Sequence, residues 1–230
     1  VSANVEPTYL PVANWYAQAL EAHGVTPQGS GWNTQDGVDT HYESCLGIVE
    51  HHVPKPSLLD FGCGPLGLVE YIQRKHSPLS YFCDYYGVDI LQPAIDAGIE
   101  RYPDLADRLT CVDILTTEWR PSRPVDYAIA NGVFTLRLGV DHDDMWQFVQ
   151  ACVSKLFSWS RYGVAFNVGS GHVDYESGQW FHIRFDDMAD FIVRYTRCFA
   201  FLNDYTPYGY TVYMWHPEST ELNGVSWVKP

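Results

Sequence analysis

An open α/β sheet, mostly parallel and covered by helices on both faces, is the fold class this sequence predicts. Three observations predict it. Short apolar runs alternate with amphipathic helical stretches from Ser57 onward, a Gly-rich turn follows the first run, and two strand-like runs close the chain with a short link between them. The apolar runs are Leu58–Phe61, Tyr85–Val88, Leu109–Val112, Val125–Ala130 and Tyr162–Val168. Helical patterns occupy Leu66–Arg74, Gln92–Tyr102, Asp143–Phe157 and Asp186–Tyr195. Between Cys198–Asp204 and Tyr210–Trp215 there is only Tyr205-Thr206-Pro207-Tyr208-Gly209, too short for a crossover, so these two runs make an antiparallel hairpin. The expectation is a seven-stranded sheet whose last strand is antiparallel.

The first 56 residues read as a helical cap belonging to the same domain as residues 57–230. Val12, Trp15, Tyr16, Ala19 and Leu20 recur at helical spacing, and His23-Gly24 closes that helix. A Gly-rich turn follows at Gly29–Gly31. A second helix is expected from Val38 to His52, with Tyr42, Cys45, Leu46 and Val49 on its apolar face and Pro54 and Pro56 ending it.

Composition narrows the function classes. With 46% apolar and 18% charged residues over 230 positions, the chain can bury one sizeable core. Its formal charge of −14, without a dense basic stripe, argues against nucleic acid and against anionic membrane surfaces. No run approaches the roughly 18 apolar residues of a membrane span, and Val1–Pro7 does not read as a secretory leader. The cysteines (Cys45, Cys63, Cys83, Cys111, Cys152, Cys198) lie far apart, as buried thiols of a reducing cytoplasm do. The histidines, His51-His52 included, show no metal-ligand spacing, so no metal is expected. Eight Trp, 16 Tyr and 11 Phe are enough to fill a core and also line a pocket.

The strongest local signal is Leu58-Leu59-Asp60-Phe61-Gly62-Cys63-Gly64-Pro65-Leu66-Gly67. A strand runs into closely spaced glycines and then a helix, which lets a nucleoside-like ligand approach the main chain. Gly62, Gly64 and Gly67 match G-x-G-x-x-G, the spacing of NAD-dependent oxidoreductases. Asp60 counts against that reading, because a carboxylate repels a pyrophosphate but welcomes a cationic amino-acid ligand. Asp89 ends the second strand, in the range at which a carboxylate grips ribose hydroxyls. Asp113 ends the third strand, where it could accept from an adenine amino group, and Asn131-Gly132 ends the fourth. These polar tips are expected along one crevice.

From Leu58 to Asn131 the chain resembles the class I S-adenosylmethionine (SAM)-dependent methyltransferases, with their D-x-G-C-G turn, second-strand acid, third-strand Asp and fourth-strand Asn. The closing hairpin extends the resemblance over about residues 35–216. It implies a Rossmann-like fold with SAM as cofactor and S-adenosylhomocysteine (SAH) as product. It implies Gly62, Cys63 and Gly64 at the methionine part, Asp60 near its ammonium, Asp89 and Ile90 at the ribose, and Asp113 with Ile114 at the adenine. Leu66 departs from the family, which often carries glycine there. Gly31-Trp32, Asn131-Gly132-Val133-Phe134, Asn167 and the Asn203–Tyr213 hairpin resemble a narrower group of small bacterial methyltransferases. In that group an Arg commonly falls near His41-Tyr42, so no role passes to that position. Trp32 is either a core anchor or a lid over the adenosine.

The methyl acceptor is expected above the ends of strands four and five. A long polar and aromatic loop, Asn167–His182, follows strand five. It offers His172, Asp174 and His182 as candidate bases, and the chain does not choose among them. Phe134, Asn167, Tyr175, Trp180 and Tyr205 are candidate acceptor contacts. Asn131-Gly132-Val133-Phe134 lacks the prolines typical of enzymes that methylate exocyclic base amines or amides. A small molecule, such as a sugar or a natural-product intermediate, is therefore expected, methylated on O or N. A non-catalytic SAM binder of the same fold is the alternative, with an NAD-dependent oxidoreductase behind it.

Overall fold

A computed structural model describes residues 7–49, 53–76 and 78–217. Its sheet is built from β1 (Ser57–Phe61), β2 (Asp84–Asp89), β3 (Leu109–Cys111), β4 (Val125–Phe134), β5 (Ser160–Ser170), β6 (His182–Ile183), β7 (Cys198–Leu202) and β8 (Gly209–Trp215). The order is β3-β2-β1-β4-β5-β8-β7, with the short β6 paired to β5. Every pair is parallel except β5–β8 and β7–β8. The strand order reverses between β1 and β4, and such a switch point opens a crevice at the carboxyl ends of the strands.

Alternation along the central strands explains the two layers of core. Leu59, Ala128, Ala130, Val164 and Phe166 face one side, together with α6 (His142–Trp159) and α7 (Phe185–Ile192). Leu58, Tyr127, Ile129, Ala165 and Tyr213 face the other, under α2 (Gln35–Leu46), α3 (Gly67–Lys75), α4 (Leu79–Phe82) and Ile95 of α5 (Gln92–Arg101). Strands buried on both sides read as continuous apolar runs, which is why they stood out in the sequence. The amino-terminal helix α1 (Leu10–His23) sends Val12 into the first cluster.

Several boundaries move for identifiable reasons. Helix α2 begins at Gln35 rather than Val38, because the Thr34 hydroxyl caps it by accepting from the Gly37 amide at 3.1 Å. It ends at Leu46, well before the prolines, and His51 and His52 lie outside the described residues. Strand β4 continues through Asn131 and Gly132 to Phe134, with an irregularity in its pairing to β5 after Ala130. Asn131 therefore lies within the strand, three residues before its end. Strand β6 was not foreseen, and it comes from the stretch read as a binding loop.

Candidate active site

The β1–α3 turn wraps back over β2. The amides of Gly62 and Cys63 both donate to the Val88 carbonyl, at 2.8 and 3.1 Å. Gly62 holds φ at +74°, and a Cβ there would come within 2.4 Å of a Val133 methyl, so only glycine fits. Leu66 also adopts a left-handed conformation, φ +66°, and its side chain is completely buried. It lies against α5, where a Cβ on Gly98 would meet Leu66 Cγ at 2.9 Å. The departure noted at this position thus keeps the turn's backbone conformation and uses the side chain to fix the turn to α5.

Asp89 is nine-tenths buried and holds two amides: Oδ2 accepts from Gly64 and Oδ1 from Leu91, each at 2.8 Å. Burial raises its pKa, against the pull of those amides. Asp113 is held similarly, with Oδ1 accepting from Leu115 at 2.9 Å and Oδ2 from the Tyr9 hydroxyl. Lys155 on α6 donates to the Ile114 carbonyl at 2.6 Å and fixes the neighbouring backbone. At β4, Asn167 of β5 accepts from the Gly132 amide at 2.8 Å and donates to the Asn131 side chain.

These groups surround a cavity of about 1120 Å³, its open mouth included. Trp32, Gly62, Cys63, Gly64, Asp89, Ile90, Asp113, Ile114, Asn131 and Gly132 all line it, as the crevice argument expected. Asp60 does not. Its carboxylate lies behind the lining, accepts from the Tyr85 hydroxyl at 2.7 Å, and has its pKa pushed up to about 7 by burial. Cys63 is buried, and burial pushes its thiol pKa up, which favours the protonated form.

Helix α1 forms the opposite wall. Tyr9, Val12, Tyr16 and Leu20 share one stripe and line the cavity, with the Tyr16 hydroxyl donating to the Gly132 carbonyl at 2.9 Å. Burial raises the Tyr16 pKa to about 12, which keeps that donor protonated. The helical spacing in the sequence marks Val12, Tyr16 and Leu20 of this stripe, together with Trp15 and Ala19, which do not line the cavity, and it does not include Tyr9. What the stripe faces is the space between two walls, and local spacing does not carry that information. Phe61, Val133, Phe148 and Tyr42 were likewise missed as lining residues.

The Asn167–His182 loop is not at this cavity. His172 and Asp174 are exposed, and the His172 ring stacks on Phe185 with centroids 5.0 Å apart. His182 lies in β6, its Nδ1 2.7 Å from the Ser170 carbonyl. None of the three candidate bases lines the cavity, and neither do Tyr175 or Trp180, which are 69% and 41% exposed. The cause is Phe181. Fully buried in the core, it draws the loop onto the sheet, where Trp180 bridges to Leu136 and His182–Ile183 pair with β5. Phe134 is also fully buried and supports the wall behind Phe61, 6.2 Å away between ring centroids, without reaching the cavity. Asn167 acts one layer back, on Asn131 and Gly132. Tyr205 lies outside the cavity lining, its hydroxyl 2.7 Å from that of Thr211, and Ser44 is 2.8 Å from Thr211 on the other side.

A parallel sheet with this switch point and a closing antiparallel hairpin, together with a Gly turn and acidic strand tips at one crevice, defines the fold of the class I SAM-dependent methyltransferases. The comparisons agree. No family model matches the chain. The Mycobacterium tuberculosis (strain H37Rv) protein Rv1506c, a methyltransferase by name, is 27% identical over 159 residues, covering 68% of this chain and 90% of its own. The magnesium protoporphyrin IX methyltransferase ChlM of Synechocystis PCC 6803, with bound SAM, superposes with a TM-score of 0.61 at 12% identity, over 94% of this chain and 99% of that one. The plantazolicin methyltransferase BpumL, in complex with a triazolic desmethylPZN analog and SAH, gives 0.55 at 12% identity, over 92% and 99%.

Proposed function

We propose that this protein transfers the methyl group of SAM to an O or N atom of a small organic molecule in the cytoplasm. The convergence of Gly62–Gly64, Asp89, Asp113 and Asn131-Gly132 on one cavity carries the reading. Two observations test the fit of the cofactor. Gly64, at φ +52° and with nothing within 4 Å of where a Cβ would stand, leaves main chain bare at the wall, and the carboxylates of Asp89 and Asp113 there, with Asp60 behind it, favour a cation. Bound there, SAM supplies an electrophilic methyl on a positively charged sulfur.

The chain's own residues divide the remaining work. Asp89 offers its remaining lone pairs to ribose hydroxyls while the Gly64 and Leu91 amides hold it still. Asp113, Ile114 and Leu115, with Tyr9 beside them, would hold the adenine. Asn167 holds Asn131 and Gly132 at the wall, and α1 with Trp32 would exclude water from an acceptor positioned there. The antiparallel β7–β8 hairpin speaks against the oxidoreductase reading. The acidic balance speaks against a nucleic-acid acceptor. Among the described residues, no helix is long and apolar enough to cross a membrane.

Titration calorimetry with SAM, SAH and NADH tests the proposal. Micromolar binding of SAM and SAH without NADH is expected. Absence of binding by both SAM and SAH at high micromolar concentration overturns it.

A further inference from the structure

Of the tyrosines that line the cavity, Tyr9 gives its hydroxyl to Asp113 and Tyr16 gives its own to the Gly132 carbonyl. The hydroxyl of Tyr42, on α2, meets no hydrogen-bond partner among the described residues. Its ring packs on that of Tyr71 in α3, with centroids 5.6 Å apart. The hydroxyl reaches the first residue of α3, where a Cβ on Gly67 would stand 2.5 Å from Tyr42 Oη. Gly67 is not one of the glycines at positive φ, so what its missing side chain provides is room. The third glycine of the G-x-G-x-x-G match thus admits a phenol from another helix to the cavity wall.

Strand order places this phenol along the cavity. Asp113 lies just past β3, Asp89 ends β2, and Gly62–Gly64 follow β1. With adenine at Asp113 and ribose at Asp89, the amino-acid end of the cofactor falls at the β1 turn, where Gly67 and Tyr42 line the wall. That end carries a carboxylate, yet among the described residues lining the cavity none is Lys, Arg or His. The wall offers neutral donors instead. The Leu66 carbonyl takes the first bond of α3, from the Glu70 amide, and Leu66 supplies no side-chain cap. The amides of Gly67, Leu68 and Val69 therefore lack an intrahelical acceptor, and such amides favour an anion beside Tyr42 Oη.

The acids around Tyr42 are matched by other groups. Arg101 donates to Glu70 and, at 2.7 Å, to the Pro65 carbonyl. Both terminal nitrogens of Arg74 hold Asp39, at 2.8 and 2.6 Å. Asp60, bonded to Tyr85, is left as the counter-charge for the ammonium of the same amino-acid end. Burial raises the Tyr42 pKa, and Asp60, Cys63, Glu70 and Asp39 add to it, so the phenol stays protonated and donates.

We infer that Tyr42 recognises the carboxylate of the cofactor, donating to it beside the start of α3, and that this cavity selects an intact amino-acid end without using a cation. This rests on the methyltransferase reading.

The test is calorimetry of wild-type protein and Tyr42→Phe with two ligands, SAH and decarboxylated SAH, in which hydrogen replaces the carboxylate. The phenylalanine ring keeps its packing on Tyr71, so the melting temperature should barely move. The variant should bind SAH about tenfold or more weakly, and decarboxylated SAH within about twofold of wild type. Gly67→Ala gives a second reading. Its methyl presses on Tyr42 Oη, so SAH affinity should fall in the wild-type background. The fall should be much smaller in Tyr42→Phe, where the nearest remaining ring atom is 3.4 Å away. Equal losses for the two ligands, or SAH binding by Tyr42→Phe within twofold of wild type, would overturn the inference. Wild-type protein that binds neither SAM nor SAH would instead sink the methyltransferase reading, and this assignment with it.

Discussion

The Tyr9 hydroxyl donates to Asp113 Oδ2 across 104 residues of sequence, tying the start of α1 to the chain just past β3 at the cavity wall. The bond is one of two fastenings, since Tyr16 on the same stripe holds the Gly132 carbonyl. Helix α1 thus closes the cavity through two phenols, and each Asp113 oxygen already holds one hydrogen bond. Tyr9→Phe should loosen this wall without removing its packing on Phe148, which lies 4.6 Å away between ring centroids. A hydrogen bond to a charged group contributes about 1.5–3 kcal/mol, so amide exchange over 10–23 should speed up at least tenfold. SAH should also enter and leave faster in stopped-flow measurements. Unchanged exchange would show that packing alone holds the helix.

Asp60 gives the site a pH dependence. Folding raises its pKa from an ordinary 3.8 to about 7, first through burial and also through the nearby Asp89 carboxylate, while the Tyr85 hydroxyl lowers it. The folded state therefore keeps this proton longer than the unfolded chain does. Stability is fully present in acid and is lost as pH rises from about 4 to about 7. Asp60→Asn should raise the melting temperature at pH 8 by several degrees and have little effect at pH 4. A cation in the cavity favours the ionised form, so wild-type SAM affinity should climb with pH through 7 and the variant's should not. Parallel affinity curves for the two proteins would separate Asp60 from the ligand.

The polar strand tips around the cavity were legible because their determinants are local. Gly62, Asp89 and Asp113 each belong to a strand end that apolar runs mark, and a parallel sheet brings such ends together. The acceptor half was not legible. His172 and Trp180 were chosen from the polarity of their loop, but Phe181, invisible as an anchor within that loop, fixes the segment elsewhere by being buried. The packing of His41 between Trp32, before α2, and Tyr205, in a hairpin 164 residues later, is likewise a contact that no spacing rule encodes.

The coupling between Leu66 and Gly98 can be measured directly. Gly98→Ala alone adds helix propensity worth about 1 kcal/mol, yet its methyl meets Leu66 Cγ at 2.9 Å, an overlap that costs about 1–3 kcal/mol in a packed core. The single variant should be neutral to destabilised. In a Leu66→Ala background, itself destabilised by about 2–5 kcal/mol through the cavity left, the same Gly98→Ala change should stabilise. Denaturant unfolding of the four proteins gives the interaction term. A value near zero would mean that Leu66 and Gly98 do not press on one another in solution.

Asp89 holds two backbone amides through the same two oxygens that the proposed function gives to the ribose. From the sequence alone it is a ribose ligand, whose loss would leave the empty protein untouched. Its bonds to the Gly64 and Leu91 amides change that expectation. Asp89→Ala leaves both amides without their acceptor at the site where the turn must hold its shape, at about 1–3 kcal/mol for each buried group left unsatisfied. Melting temperature should therefore drop by several degrees, and SAH affinity should fall more than tenfold. The two effects are separable, because in the folded baseline below the melting transition calorimetry reads only the binding loss. A variant that keeps its melting temperature would show that water replaces the carboxylate at both amides, and one that keeps its affinity would remove Asp89 from the cofactor site.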